Sequence, residues 1–454
     1  MSHRSAAEIG RTVTGPREVP PLGEQRPATD LAHVDTVLGN GLRVLAVRKP
    51  GVPLVDLRLS IPFAGTDPMH PATAEVLAET LLTGTARRDR IAIDTELALI
   101  GGELSTVVDP ERLAISGSAL ASGLPTLLDV LADVLTAAAH RDNEVRREAE
   151  RIVERLAVAR TQPRVIAREA LQRRRYGDHP YTREVPQAED VARVEPDAVR
   201  ALHAAAVLPR NSVLVLVGDV DPDTVVGDLE KALRDWASDR AASVLPPLPE
   251  VTGDDVLLVP RAGAVQSQIR LSAQSLPRTD PRYPALQLTN LVFGGYFSSR
   301  LVENIREDKG YTYSAHSGFE FTGTSATVQV DADTANEVTA PALLEIRYEL
   351  ARLGLVPPTA EEVESVRQYA IGSLLIATSS QAGLVSQLSA LAMVGLGVEW
   401  LVGHPLRLAD VTAEQVAEAA LEFYTPPRFT GVVVGDAASL APKLAALGDV
   451  AVAE

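Results

Sequence analysis

At 454 residues the chain is too long for one ordinary domain and calls for two or more. Its net charge of −17 argues against a nucleic-acid partner or an anionic membrane surface. With no cysteine it has no disulfide, thiolate metal site or thiol nucleophile, and with aromatics at 4% its core must be mainly Ala, Val, Leu and Ile.

The first thirty residues carry Arg4, Arg11, Arg17 and Arg26 among Pro, Gly and Glu without an apolar run of signal-peptide length, and are expected to form a disordered arm. No stretch is long and apolar enough to span a membrane, and a cytoplasmic location is the expectation. Asn40-Gly41 between two apolar runs marks a hairpin turn. A helix follows over Ala72 to Leu82, which places Glu75 and Glu79 four apart on one face with Ala78 between them. A further helix runs from Asn143 to Arg160 and carries Arg155; the run Arg173-Arg174-Arg175 is expected on a solvated helix face.

Val194 to Asp219 and Val411 to Asp436 match without gaps at a constant offset of 217 residues. Each copy reads as an amphipathic helix, a Pro-containing turn and a buried strand, VLVLVGD and then TGVVVGD. A repeat of that length means two homologous domains, here 31–236 and 253–454, joined by a Pro-rich linker over 237–252. Hairpin-like strands mixed with long Ala/Leu helices suggest an α+β chain, with helices on one face of a mostly antiparallel sheet in each half.

Gly294 to Ser317 reads as a Gly-Gly turn, a helix from about Ser298 to Asp308 capped by Ser298-Ser299, a Gly310 stop, and a strand with alternating Tyr311 and Tyr313. Arg306 and Tyr313, seven apart, are two hydrogen-bond donors able to hold a peptide carbonyl oxygen as it becomes an oxyanion.

Ser299, Arg300, Leu301, Arg306, Glu307, Gly310 and Tyr313 fall where the insulinase/pitrilysin zinc-peptidase family has its SRL…LRE…GL-x-Y signature. The segment resembles the short, mitochondrial-processing-peptidase-like bacterial branch. That resemblance implies two homologous α/β sandwich domains forming half of a clamshell, with Arg306 and Tyr313 as substrate-binding residues. Asp178-His179-Pro180-Tyr181 is similar to a structural turn of the family.

Active family members carry H-x-x-E-H in the first domain and a distant glutamate as third zinc ligand. At the corresponding positions stand Glu75, Ala78, Glu79 and, seventy-six residues on, Arg155. No metal is expected on this chain; Arg155 is expected to pair with Glu75 or Glu79 instead, and no two of the eight histidines share an H-x-x-x-H spacing. His70, just before the altered helix, reads as a loop residue. The family's edge strand corresponds to about Gly102 to Val107, with Ser105-Thr106 where active members favour Asn-Ala.

The resemblance therefore implies a non-catalytic subunit of a heterodimeric zinc endopeptidase. Arg306 and Tyr313 would face a homologous partner bearing H-x-x-E-H and the zinc, with unfolded peptides or leader segments as substrates. The alternatives are a catalytically inert scaffold and a stand-alone peptide-binding homodimer.

Overall fold

The computed structural model describes residues 30–453, together with an isolated strand pair, Arg11–Thr12 and Gly15–Pro16. Apart from Asp30 and that pair, the arm expected over residues 1–30 lies outside the described residues.

Two six-stranded sheets organise the chain. The first contains β1 (His33–Val37), β2 (Arg43–Arg48), β3 (Leu54–Pro62), β4 (Glu103–Val108), β5 (Arg112–Leu120) and β6 (Val213–Gly218), in the order β1-β2-β6-β3-β5-β4. The second contains β7 (Val256–Pro260), β8 (Gln266–Gln274), β9 (Ala315–Phe321), β10 (Ala326–Ala335), β11 (Thr430–Gly435) and β12 (Val450–Val452), in the order β9-β10-β8-β11-β7-β12. Read from β4 and from β9, the first five strands follow the same connectivity in both sheets. The matched strands β6 and β11 occupy the same place. Pairing is antiparallel except at β2–β6, β7–β11 and β7–β12. The fold is α+β, with two sheet-bearing domains.

Local chemistry fixes the turns. Asn40 stands between β1 and β2 and donates from Nδ2 to the carbonyls of Leu233 and Trp236, tying the hairpin to the end of the first domain. Gly41 adopts φ +89°, a left-handed conformation open to glycine without strain.

Five helices position the features that matter here: α1 (His70–Thr80), α2 (Asp142–Ala159), α3 (Pro163–Tyr176), α4 (Gln381–Ala392) and α5 (Val398–Ala409). In the first sheet Val44, Ala46, Leu214 and Leu216 face the domain's own helices. The alternate residues Leu45, Val47, Val213, Val215 and Val217 point the other way and are covered by Leu384, Val385, Leu388, Leu391 and Leu401 of α4 and α5, from the second half of the chain. The exchange is reciprocal. Ala167 and Leu171 of α3, from the first half, pack on Val432 and Val434 of β11.

Helices thus cover both faces around β6 and β11, not one face as expected, and every residue of those two strands is buried. Each fully buried aliphatic side chain contributes about 1.5–3 kcal/mol. This seam therefore outweighs the exposed ion pairs nearby, worth about 0–1 kcal/mol each.

The arginine run departs from expectation for the same reason. Arg173 is exposed, but Arg174 pairs with Asp254 at 2.7 Å. The Arg175 side chain is only 1% exposed and pairs with Glu320 of β9 at 2.6 Å. α3 lies on the second sheet, so its charged face is partly an interdomain face. No single helix among the described residues is long and apolar enough to cross a membrane.

Candidate functional site

α1 starts at His70, with Pro71 in its first turn, where a missing N–H costs nothing. His70 is thus the first helical residue and not a loop residue. Its Nε2 bonds the Phe63 carbonyl at 2.8 Å, and a Cβ on Gly65 would come within 2.2 Å of its ring. Burial pushes the His70 imidazole below its ordinary pKa.

Glu75 and Glu79 project from one face of α1, and Arg155 reaches them from α2. Its Nη2 donates to Glu75 Oε1 and its Nη1 to Glu79 Oε1, each at 2.7 Å. One planar fork thus spans two carboxylates a helical turn apart. Burial raises the Glu75 carboxyl above its usual range, and the Arg155 charge pulls only partly against it. Burial also works against the Arg155 cation, but the hydrogen bond and charge of Glu79, then of Glu75, outweigh it and raise its pKa. Ala78 is 4% exposed, and its carbonyl accepts from Thr106 of β4 at 2.7 Å.

This donor set does not fit zinc. It offers two carboxylates already bridged by a guanidinium and no imidazole. Among the described residues no group of three or more His, Cys, Asp or Glu side chains is placed to hold a metal.

The structure joins two histidines that sequence spacing keeps apart. His140 Nε2 meets His203 Nδ1 at 2.9 Å, His140 Nδ1 meets Thr80 Oγ1 of α1 at 2.8 Å, and His203 Nε2 meets the Leu135 carbonyl at 3.0 Å. Every ring nitrogen has a partner, so the pair braces α1 and leaves no free lone pair for a metal. Burial first, and then the charges of His203 and Arg200, push the His140 imidazole down to about 3. A separation of 63 residues gives no local pattern by which to find this pair.

The second cluster lies in Gly294–Ser317. In place of one regular helix, the chain makes a π-helical turn over Leu291–Gly295 and an extended residue at Tyr296. A short α-helical turn then runs over Arg300–Val302, followed by a π-helical turn over Glu303–Asp308. Ser299 is the N-cap residue but makes no side-chain capping bond, and its buried Oγ has no partner among the described residues. Arg300 is a packing residue, paired with Glu362 through two bonds of 2.8 and 2.9 Å.

Tyr311 and Tyr313 precede the strand, which begins only at Ala315. Thr312 holds the loop between them by donating to the Asp333 carbonyl at 2.6 Å. Tyr313 is 92% exposed. Arg306 lies 4.3 Å from the Phe297 ring centroid and 5.8 Å from that of Tyr313, with its Nε 3.0 Å from Glu307 Oε1. The structure therefore brings Arg306 and Tyr313 together and adds Phe297, which the sequence reading passed over.

No hydrogen bond, ion pair or ring contact among the described residues links this cluster to Glu75, Glu79 and Arg155. β4 is the edge of its sheet, paired on one side only, with Glu103, Ser105 and Val107 exposed. A cavity of about 670 Å³ lies between α3 and the second sheet, lined by Arg168, Arg175, Arg270, Glu320 and Asp331 among others. Neither Arg306 nor Tyr313 lines it, and those three arginines are already paired with carboxylates.

Residues 68–189 match the family described as insulinase (peptidase family M16), and residues 193–369 match the peptidase M16 inactive domain. An uncharacterized zinc protease of Mycobacterium tuberculosis is 24% identical over 422 residues, covering 90% of this chain and 94% of the relative. The peptidase M16 inactive domain from Pseudomonas fluorescens superposes with a TM-score of 0.81 at 23% identity, over 89% of this chain and 98% of that one. The periplasmic protease PqqL from Escherichia coli superposes with a TM-score of 0.75 at 17% identity, over 94% of this chain and 48% of PqqL.

PqqL overturns the expectation of a cytoplasmic location, because the same fold is found in a periplasmic protein. A chain without thiols is indifferent to the redox state of its compartment, so its composition does not fix that compartment. The architecture is that of half a clamshell, and two adjacent family matches run through both of its sheets. On these grounds the chain belongs to the insulinase/pitrilysin superfamily, peptidase family M16.

Proposed function

We propose that this chain is a catalytically inert, peptide-binding member of its family, of the short mitochondrial-processing-peptidase-like branch, built from domains 31–236 and 253–454. The observation that carries the reading is the Arg155 fork on Glu75 and Glu79. A fixed cation between the two carboxylates repels a divalent ion, and Ala78 has no group to activate water.

Peptide binding is supported by two surfaces. β4 offers a row of unpaired backbone groups to which an extended segment can add as a strand. Tyr313 is open to solvent, and beside it the half-buried Arg306, whose Nε is held by Glu307, supplies a second donor suited to a peptide carbonyl. The test is anisotropy of a labelled unfolded peptide with the purified chain alone, alongside zinc analysis and a cleavage assay. Binding without zinc and without cleavage is the expected result. Stoichiometric zinc with chelator-sensitive cleavage would overturn the reading.

A second reading keeps the same residues but places them in a heterodimer with a homologous H-x-x-E-H subunit that holds the zinc. It is favoured by the near-complete exposure of Tyr313 beside Arg306, a donor pair that no hydrogen bond, ion pair or ring contact among the described residues links to Glu75, Glu79 and Arg155. Cleavage that appears only on mixing with such a subunit, and that falls in Arg306→Ala, is its signature. If the two proteins do not associate, it fails.

A further inference from the structure

Phenylalanine is scarce in this chain, with seven in 454 residues, and six of the seven are buried or half-buried. Phe297 alone is exposed, at 61%. The local backbone accounts for its direction. Tyr296 is extended, with φ −151° and ψ 174°, so neighbouring side chains leave the chain on opposite sides. Tyr296 turns toward the fold and packs its ring on Tyr369, with centroids 5.0 Å apart. Phe297 turns outward and lies under the Arg306 guanidinium at 4.3 Å, with the Tyr313 ring at 5.8 Å on the same cation. Arg306 pairs through Nε with Glu307 Oε1 at 3.0 Å.

We infer that Phe297 is a positioning and specificity-determining residue. It fixes the Arg306 guanidinium by cation–π contact and offers its exposed ring to one large apolar side chain of a bound extended peptide. The inference rests on the peptide-binding reading above and deepens it by naming a substrate class: segments with an aromatic or large aliphatic residue next to the carbonyl that Arg306 engages. An exposed aromatic ring with a cation on it joins an apolar surface to a directed donor, and such a surface distinguishes a Phe-containing segment from an Ala-containing one. A bound carboxylate alone would have no use for the ring.

The test uses the full chain and two labelled, flexible, uncharged peptides that differ only by Phe against Ala at one position. Wild-type protein is expected to bind the Phe peptide about tenfold more tightly, a preference of about 1.4 kcal/mol. Phe297→Ala should bring the two affinities within about twofold, Phe297→Tyr should retain the preference, and Phe297→Leu should fall between them, keeping apolar contact but losing the cation–π contact.

A preference unchanged in Phe297→Ala, with Arg306→Gln weakening both peptides alike, overturns the role of Phe297 and leaves peptide binding standing. Failure of the wild-type chain to bind either peptide overturns both. A change of sedimentation coefficient in Phe297→Ala without any change in peptide affinity would make the ring a contact between copies of the chain, and would overturn the inference as well.

Discussion

Arg155 donates from Nη1 to Glu79 Oε1 at 2.7 Å across 76 residues of sequence, and the same fork holds Glu75. Removing the cation leaves two carboxylates one helical turn apart, one of them already raised by burial. Arg155→Gln should therefore cost about 1 kcal/mol at pH 7, an amount set by the partial exposure of all three groups. Without Arg155 the Glu75 carboxyl rises further. A raised carboxyl favours the folded state below its folded pKa, so the loss should shrink as pH falls through that range. Urea unfolding of both proteins at pH 7 and at pH 4.5 checks this; an equal loss at both pH values would assign the cost to packing.

If the fork is what excludes metal, relieving it together with the missing ligands should admit one. Glu75→His, Ala78→Glu and Glu79→His combined with Arg155→Glu should bind about one zinc per chain in a dye-competition titration, because i and i+4 imidazoles share a helix face. The same three substitutions with Arg155 retained should bind far more weakly. Equal zinc affinity in the two variants would show that Arg155 is not the obstacle.

Acid should loosen the fold through its buried imidazoles. His140 and His404 are each pushed down to about 3, in both cases first by burial and then by neighbouring charge. The unfolded chain binds these protons near the ordinary value of about 6.5, so the stability they confer is complete above that pH and is lost as pH falls toward 3. Each should account for roughly 2 kcal/mol between pH 7.5 and pH 5. Glu75, Glu111 and Glu184 are raised by burial and pull the other way, but only in the carboxylate range. His404, whose Nε2 meets Gln287 Oε1 at 2.7 Å, provides the test. Urea midpoints of His404→Gln should fall less steeply from pH 7.5 to pH 5 than those of wild type. Parallel slopes would remove His404 from the account.

What the sequence made legible was whatever helix and strand periodicity carries. Glu75 and Glu79 share a face because a helix repeats every 3.6 residues. The all-apolar VLVLVG and the apolar TGVVVG read as strands buried on both faces. Contacts between distant segments were hidden. His140 and His203 meet only after folding, and Arg175 looked solvated because its helix lies on the other domain's sheet, which no local pattern records. Tyr311 and Tyr313 mimicked strand alternation, but Gly310 at φ +63° and the Thr312 bond to Asp333 hold them in a loop. Phe297 went unnoticed because an aromatic beside a turn more often marks a core than a surface.

Arg175 gives the last prediction. It leaves a helix of the first half of the chain, enters the second sheet, and meets Glu320 at 2.6 Å and Thr327 Oγ1 at 3.0 Å while only 1% exposed. Arg175→Met keeps the apolar stem but strands the Glu320 carboxylate, which is 21% exposed, and should cost about 3 kcal/mol. Adding Glu320→Gln removes the stranded charge and should restore at least half of that loss, because an unpaired buried charge costs more than an absent pair. Urea midpoints of the two single variants and the double variant decide the matter. If the double variant is as unstable as the sum of the singles, the two residues are not coupled, and the helix is held on the second sheet by the packing of Ala167 and Leu171 and by the bonds of Arg174 to Asp254 and Thr430.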